Sequence, residues 1–114
     1  MAKYLQGDIV IVNFPFTDHE GSKPRPAIVV SNSRVNKSTD VILAAITTTL
    51  LNDDFSYPIN KKKLTTPLHN EFCEVRCHKL FLAEKSIIIK KISALKKVHH
   101  QDLYNIINSA IEVI

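Results

Sequence analysis

Residues 7–31 read GDIVIVNFPFTDHEGSKPRPAIVVS, two alternating apolar runs joined by a polar loop. Ile9, Ile11 and Asn13 point one way and Val10, Val12 and Phe14 the other, which predicts a strand with both faces largely buried. Ala27 to Ser31 reads as a second strand of the same kind. Between them stand Asp18, His19, Glu20, Ser22, Lys23 and Arg25, with one glycine to permit an unusual turn and Pro24 and Pro26 bracketing the arginine. Pro26 biases Arg25 toward extended backbone. Its guanidinium therefore leaves a strand end as a planar, permanently charged fork suited to a phosphate.

Outward from this segment the apolar pattern continues with period two. Val41 to Thr47, VILAAIT, predicts a buried strand with Thr47 at its polar end. Phe55 to Ile59 is a short strand that Pro58 suits to an edge. Glu71 to Phe81 and Ile87 to Ser93 complete the strands, with a turn or short helix around residues 83–86. Asn32 to Asp40 and Asn60 to Asn70 read as exposed connections. The period then changes: Leu103, Ile106, Ile107, Ala110, Ile111 and Ile114 form one helical stripe. The expectation is a mainly β chain (β-rich α+β), a small, partly open barrel or curled sheet covered by a C-terminal amphipathic helix, with residues 1–114 as one domain.

Composition narrows the classes. The chain has 114 residues, 45% of them hydrophobic, enough for one core and too apolar for a disordered protein. No stretch of about 18 apolar residues could span a bilayer, and the N-terminus has no signal-type pattern, so a cytoplasmic protein is expected. The net charge of +4 permits nucleic-acid binding without establishing it. Cys73 and Cys77, with His69 and His78 nearby, invite a metal reading. On a strand, however, the two cysteine backbones stand about 13 Å apart, too far for a disulfide. Cys77 and His78 would also face opposite sides. Two small buried thiols, and no metal or cofactor, are expected.

Gly7-Asp8-Ile9-Val10, the FPFTD of residues 14–18, Lys23-Pro24-Arg25-Pro26-Ala27, Ala45-Ile46-Thr47 and Val75-Arg76-Cys77 occur in order along the chain. In that order and at similar spacing they resemble the MazF/PemK family of toxin endoribonucleases. The resemblance implies an SH3-like barrel with a terminal helix, assembled as a homodimer. It further implies metal-independent cleavage of single-stranded RNA (mRNA) at short sequences. The RNA's own 2′-hydroxyl would be the nucleophile, leaving a 2′,3′-cyclic phosphate and a 5′-hydroxyl. An acidic, partly disordered antitoxin would restrain the activity, and a basic groove suits such a tail.

In-line attack by a 2′-hydroxyl needs a proton acceptor, a cation or strong donor on the nonbridging phosphate oxygens, and an acid for the leaving 5′-oxygen. Arg25 suits the phosphate, and Thr47, matching the family's catalytic threonine, can donate to a phosphate oxygen or hold Arg25. Alternation puts Glu74, Arg76 and His78 on one face of their strand and Cys73, Val75 and Cys77 on the other, so a charged face opposite a buried face is expected, with Arg76 as a second phosphate ligand. PemK-type members carry an aspartate where this chain has His78. An imidazole can still move a proton near neutral pH. His19 and Glu20 remain competing bases. Asp18, His19, Glu20, Lys23, Lys61 and Lys62 are expected to contact RNA, and Phe16 and Tyr57 either stack bases or fill the core. A contact-only toxin on the same fold, like the gyrase-poisoning CcdB toxins, or a degenerate RNA-binding member, is the alternative from another class.

Overall fold

A computed structural model describes residues 3–13 and 23–114. The expected contacts Asp18, His19 and Glu20, the aromatic Phe16 and the whole FPFTD motif of residues 14–18 lie outside the described residues. Six strands form one antiparallel sheet: β1 (Asp8–Asn13), β2 (Pro24–Val29), β3 (Asp40–Thr47), β4 (Ser56–Asn60), β5 (Phe72–Glu84) and β6 (Ile88–Ala94), in the order β4-β5-β3-β2-β1-β6. β4 is an edge strand, as Pro58 required, and pairs with β5 alone. The sheet curls until the chain beyond β4 meets the chain beyond β6. Leu64 bridges Leu95, Thr65 N donates to Ala94 O at 2.9 Å and Lys96 N to Lys63 O at 2.8 Å. A loosely closed small barrel results.

Both faces of β1 are buried, as its alternation predicted. Ile9 joins Ile28, Ala44, Ile46, Val75 and Cys77 in the larger core, while Val10 and Val12 join Val29, Val41 and Leu43 in a second cluster on the other face. Helix α2 (His100–Ile111) covers the larger core with Leu103 and Ile107, and the Tyr104 hydroxyl donates to Val30 O. Each of those two apolar side chains contributes about 1.5–3 kcal/mol by leaving water. The stripe ends sooner than its spacing suggested, since Ile111 and Ile114 are exposed. His100, given no role from sequence, packs on Gly7. Gly7 adopts φ +95°, and a Cβ there would stand 2.5 Å from His100 Nε2. Only glycine lets the start of β1 pass beneath the helix.

Residues 32–40 are more ordered than a surface loop. They contain helix α1 (Ser33–Asn36), capped by the Asn32 side chain, which accepts from Arg34 N at 3.0 Å. Buried Asn36 ties it down by donating to Ser31 O at 2.8 Å. A turn of only four residues leaves no apolar periodicity to read.

The feature of the sheet that most shapes the site is an offset in β5. Between the pairs Ala44–Leu80 and Ile46–Val75, β3 advances two residues and β5 five. Three extra residues bend the strand and reverse its alternation. The strand therefore serves β4 and the end of β3 with its first half and the start of β3 with its second.

Candidate active site

Arg25, Thr47, Glu74 and Arg76 converge on one sheet face because of strand register. β2 and β3 pair as Ala27–Ala45 and Val29–Leu43, so Arg25 and Thr47 lie just beyond that ladder at positions the same register would oppose. Arg25 is itself paired with Val12 of β1. Thr47 pairs with Glu74, and Arg76 with Ser56. Paired residues point to the same side.

Arg25 is exposed and makes no ion pair or hydrogen bond among the described residues. It stands between Pro24 and Pro26 at the start of β2, one exposed and one half-buried. Thr47 is half-buried at the last position of β3, and its Oγ1 accepts from Thr49 N at 3.1 Å, which leaves the hydroxyl proton to donate outward.

The patch around Arg76 differs from the open charged face that alternation suggested. Glu74 and Arg76 are 3% and 5% exposed, because residues 50–56 fold over them. The Arg76 fork is closed on Asp53, with Nη1 to Oδ1 and Nη2 to Oδ2 both at 2.9 Å, and Nη1 also donates to Ser56 Oγ at 2.8 Å. Nε is buried without a partner. The expected second phosphate ligand thus has both terminal nitrogens of its fork engaged within the protein. Glu74 accepts from Leu51 N at 2.9 Å, Asn52 N at 3.0 Å and Ser56 Oγ at 3.1 Å. These contacts hold Asn52 at φ 50°, the one non-glycine residue with positive φ among those described.

Charge follows these contacts. The hydrogen-bonded Arg76 guanidinium holds the Asp53 carboxyl well below the usual carboxylate range, and Asp53 in turn raises Arg76. Burial works against the charge on Glu74, yet the Leu51 and Asn52 amides, Ser56 and Arg76 outweigh it, so Glu74 also sits below its ordinary value. A carboxylate so fully used by donors is a poor proton acceptor. His78 lies within the β5 offset, exposed, its ring 4.5 Å from that of Phe55. It stays at the surface while its neighbour Cys77 is buried in the core, where burial pushes the thiol up to about 12. Cys73 is likewise a buried free thiol.

Lys23, Lys61 and Lys62 are exposed, the latter two on a 3-10 turn (Lys61–Lys63) directly after β4. Lys63 donates to Pro58 O at 2.8 Å with its ammonium over the Tyr57 ring. Tyr57 is core, 4% exposed, so the base-stacking alternative for it falls away. The sequence reading missed Asp53, Ser56 and Phe72. A charged residue flanked by two buried strand positions was the available signal that Arg76 would need a partner; nothing named Asp53, 23 residues away.

The family model for the PemK-like, MazF-like toxin of type II toxin–antitoxin systems matches residues 5–111. A search of curated proteins finds no significant match. Among solved structures, the Mycobacterium tuberculosis toxin MazF-mt6 superposes with a TM-score of 0.75 at 20% identity, covering 94% of this chain and 98% of the toxin. A mycobacterial endoribonuclease in complex with its cognate antitoxin gives 0.76 at 16% identity, covering 95% and 94%. The MazE-MazF structure (Form-II) from Deinococcus radiodurans gives 0.75 at 16% identity, covering 96% of each chain. At these identities the structural matches establish the fold.

Proposed function

Because the chain belongs to the PemK-like, MazF-like family of type II toxins, we propose that it is an endoribonuclease that cuts single-stranded RNA by attack of the RNA's own 2′-hydroxyl, with no metal in the chemical step. The observation that carries this reading is Arg25: an exposed guanidinium without an internal partner among the described residues, at the end of the ladder that brings it toward Thr47.

In this reading Arg25 binds the nonbridging oxygens of the scissile phosphate in a bidentate fork and stabilises the charge that grows there. Thr47 donates its hydroxyl to the same group. His78, exposed and on the same strand as the buried Arg76, transfers protons, with His19 and Glu20 as the competing bases. Arg76 acts through others: by holding Asp53, Ser56 and the 50–56 segment it fixes the wall beside Thr47. Lys23, Lys61 and Lys62 hold flanking phosphates through charge alone.

The mycobacterial endoribonuclease solved in complex with its cognate antitoxin supports a protein partner, and the net charge of +4 suits an acidic, partly disordered one. We also propose a homodimer in the cytoplasm. No described helix is long and apolar enough to cross a membrane. The test is to incubate purified protein with a long single-stranded RNA and a chelator, and to map the new ends. Cuts at a recurring short sequence that leave cyclic phosphate and 5′-hydroxyl support the reading. Intact RNA at high protein concentration would leave a contact-only toxin on this fold as the better account.

A further inference from the structure

We propose that a cavity between β4, the start of β5 and the segment linking β3 to β4 receives one base of the RNA strand beside the scissile phosphate, with Phe72 as its stacking face. The inference rests on the ribonuclease reading and adds the place where sequence preference is set.

The cavity has a volume of about 340 Å³ and is lined chiefly by Leu50, Asn52, Pro58, Asn60, Phe72 and Glu74. That lies at the small end of ligand pockets, which run about 300–1,000 Å³, and suits one ring system rather than several. Register places it. Pro58 pairs with Glu74, Asn60 with Phe72 and Glu74 with Thr47, so the cavity opens on the face that carries Thr47. At about 4.8 Å per strand, Pro58 on β4 is roughly 10 Å from Thr47 on β3. A neighbouring nucleotide reaches that far.

Its chemistry suits a base. Leu50 and Phe72 are each 57% exposed, large apolar side chains left in water at the rim of a concavity. An aromatic ring presented this way offers a stacking platform to any base. Two amides stand beside it. The Asn52 side chain makes no hydrogen bond among the described residues, and Asn60 spends its oxygen on Lys62 N at 2.9 Å, which leaves its NH₂ group to donate. Donors and acceptors beside a stacking surface can read a base edge. Exposed Lys61 and Lys62 follow Asn60 directly, so the rim continues into positive charge where a phosphate backbone would run. An aromatic face, amides and lysines together match the three parts of a nucleotide: the base plane, the base edge and the phosphate.

Internal hydrogen bonds hold the wall in place. Glu74 accepts from the amides of Leu51 and Asn52, and Arg76 bonds Asp53 and Ser56 beneath them. Asn52, thereby kept at φ 50°, lines the cavity. Glu74 and Arg76 are positioning residues for this subsite, which explains why charged side chains are buried there.

Single-stranded 2′-deoxy oligonucleotides, which a 2′-hydroxyl mechanism cannot cut, allow binding to be read alone. They would carry the mapped cleavage sequence, or random sequence if no RNA is cut, with 2-aminopurine moved position by position. We expect quenching at one position flanking the scissile phosphate. Phe72→Ala should remove that quenching and weaken binding roughly tenfold, Phe72→Tyr should retain both, and an abasic site at that position should make wild type and Phe72→Ala equal. On cleavable RNA, Phe72→Ala should lose preference at the same position. Phe72 is exposed, so an unchanged melting temperature shows that the fold is intact. Wild-type affinity, quenching and preference in Phe72→Ala would overturn the pocket while leaving the ribonuclease. Phe72-dependent quenching by a protein that cuts no RNA would keep the pocket and overturn the ribonuclease.

Discussion

Arg25 and Arg76 share one sheet face, yet the fold treats them oppositely. Arg25 stands exposed between two prolines with no partner among the described residues, whereas Arg76 is 5% exposed with its fork closed on Asp53. A buried guanidinium already paired bidentately gains little from a phosphate and would have to give up its carboxylate first. An exposed one held at a strand end has nothing to give up. The difference separates a group available for chemistry from a group that shapes the surface around it, though the two residue types are identical.

The largest effect expected from this contrast is on rate. Arg25→Ala should lower single-turnover RNA cleavage by about 10²–10³-fold, the usual consequence of removing one donor to developing charge. Its melting temperature should stay near wild type, since the side chain is exposed. Arg76→Met should do the reverse in kind, dropping the melting temperature by several degrees, because Asp53 and Ser56 lose their shared donor. A stable Arg76→Met protein that has lost only phosphate affinity would break the distinction.

The Asp53 ion pair adds a pH signature. Asp53 has a folded-state pKa below its unfolded value, so it contributes stability that is fully present above the unfolded value of about 3.9 and is lost as pH falls from there toward the folded value. The melting-temperature gap between wild type and Asp53→Asn should therefore be constant from about pH 5 to 7 and should close progressively below about pH 4. A gap that widens on acidification would contradict the pairing.

The smallest effect concerns the rim. Replacing Lys61 and Lys62 by Ala should leave the cleavage chemistry intact and flatten the salt dependence of RNA binding, by about 0.7 in the logarithmic slope for each phosphate the variant no longer neutralises. A salt slope equal to that of wild type would remove the two lysines from the RNA path.

How far these features could be read from the sequence follows from the range of the interactions that make them. Period-two runs exposed β1, β3 and β5, Pro58 marked β4 as an edge, and the stripe from Leu103 to Ile107 announced α2, because each signal is local. Arg25 was legible for the same reason, through its own two prolines. Arg76 was legible as a strand residue and illegible as a buried one. Its burial depends on a segment 23 residues earlier folding back over β5, and its partner Asp53 sits in a polar turn like many others. The β5 offset escaped too, since three extra residues between Val75 and Leu80 carry no glycine or proline to mark them. That offset is also why His78, two residues beyond Arg76 in sequence, lies against Phe55 at the surface and not in the Glu74–Arg76 network. The pocket at Phe72 needed β4, β5 and the linking segment to be placed together before it existed at all.

The proposed reaction, unlike the phosphate-binding role of Arg25, depends on the RNA supplying its own nucleophile. The most direct measurement is the cleavage rate of an oligoribonucleotide carrying a single 2′-deoxy substitution at the nucleotide 5′ to the mapped cut, measured beside its binding affinity. The account predicts unchanged affinity and no cleavage at that position. Cleavage of the substituted strand at the rate of the all-ribose strand would show that water attacks instead, and would contradict it.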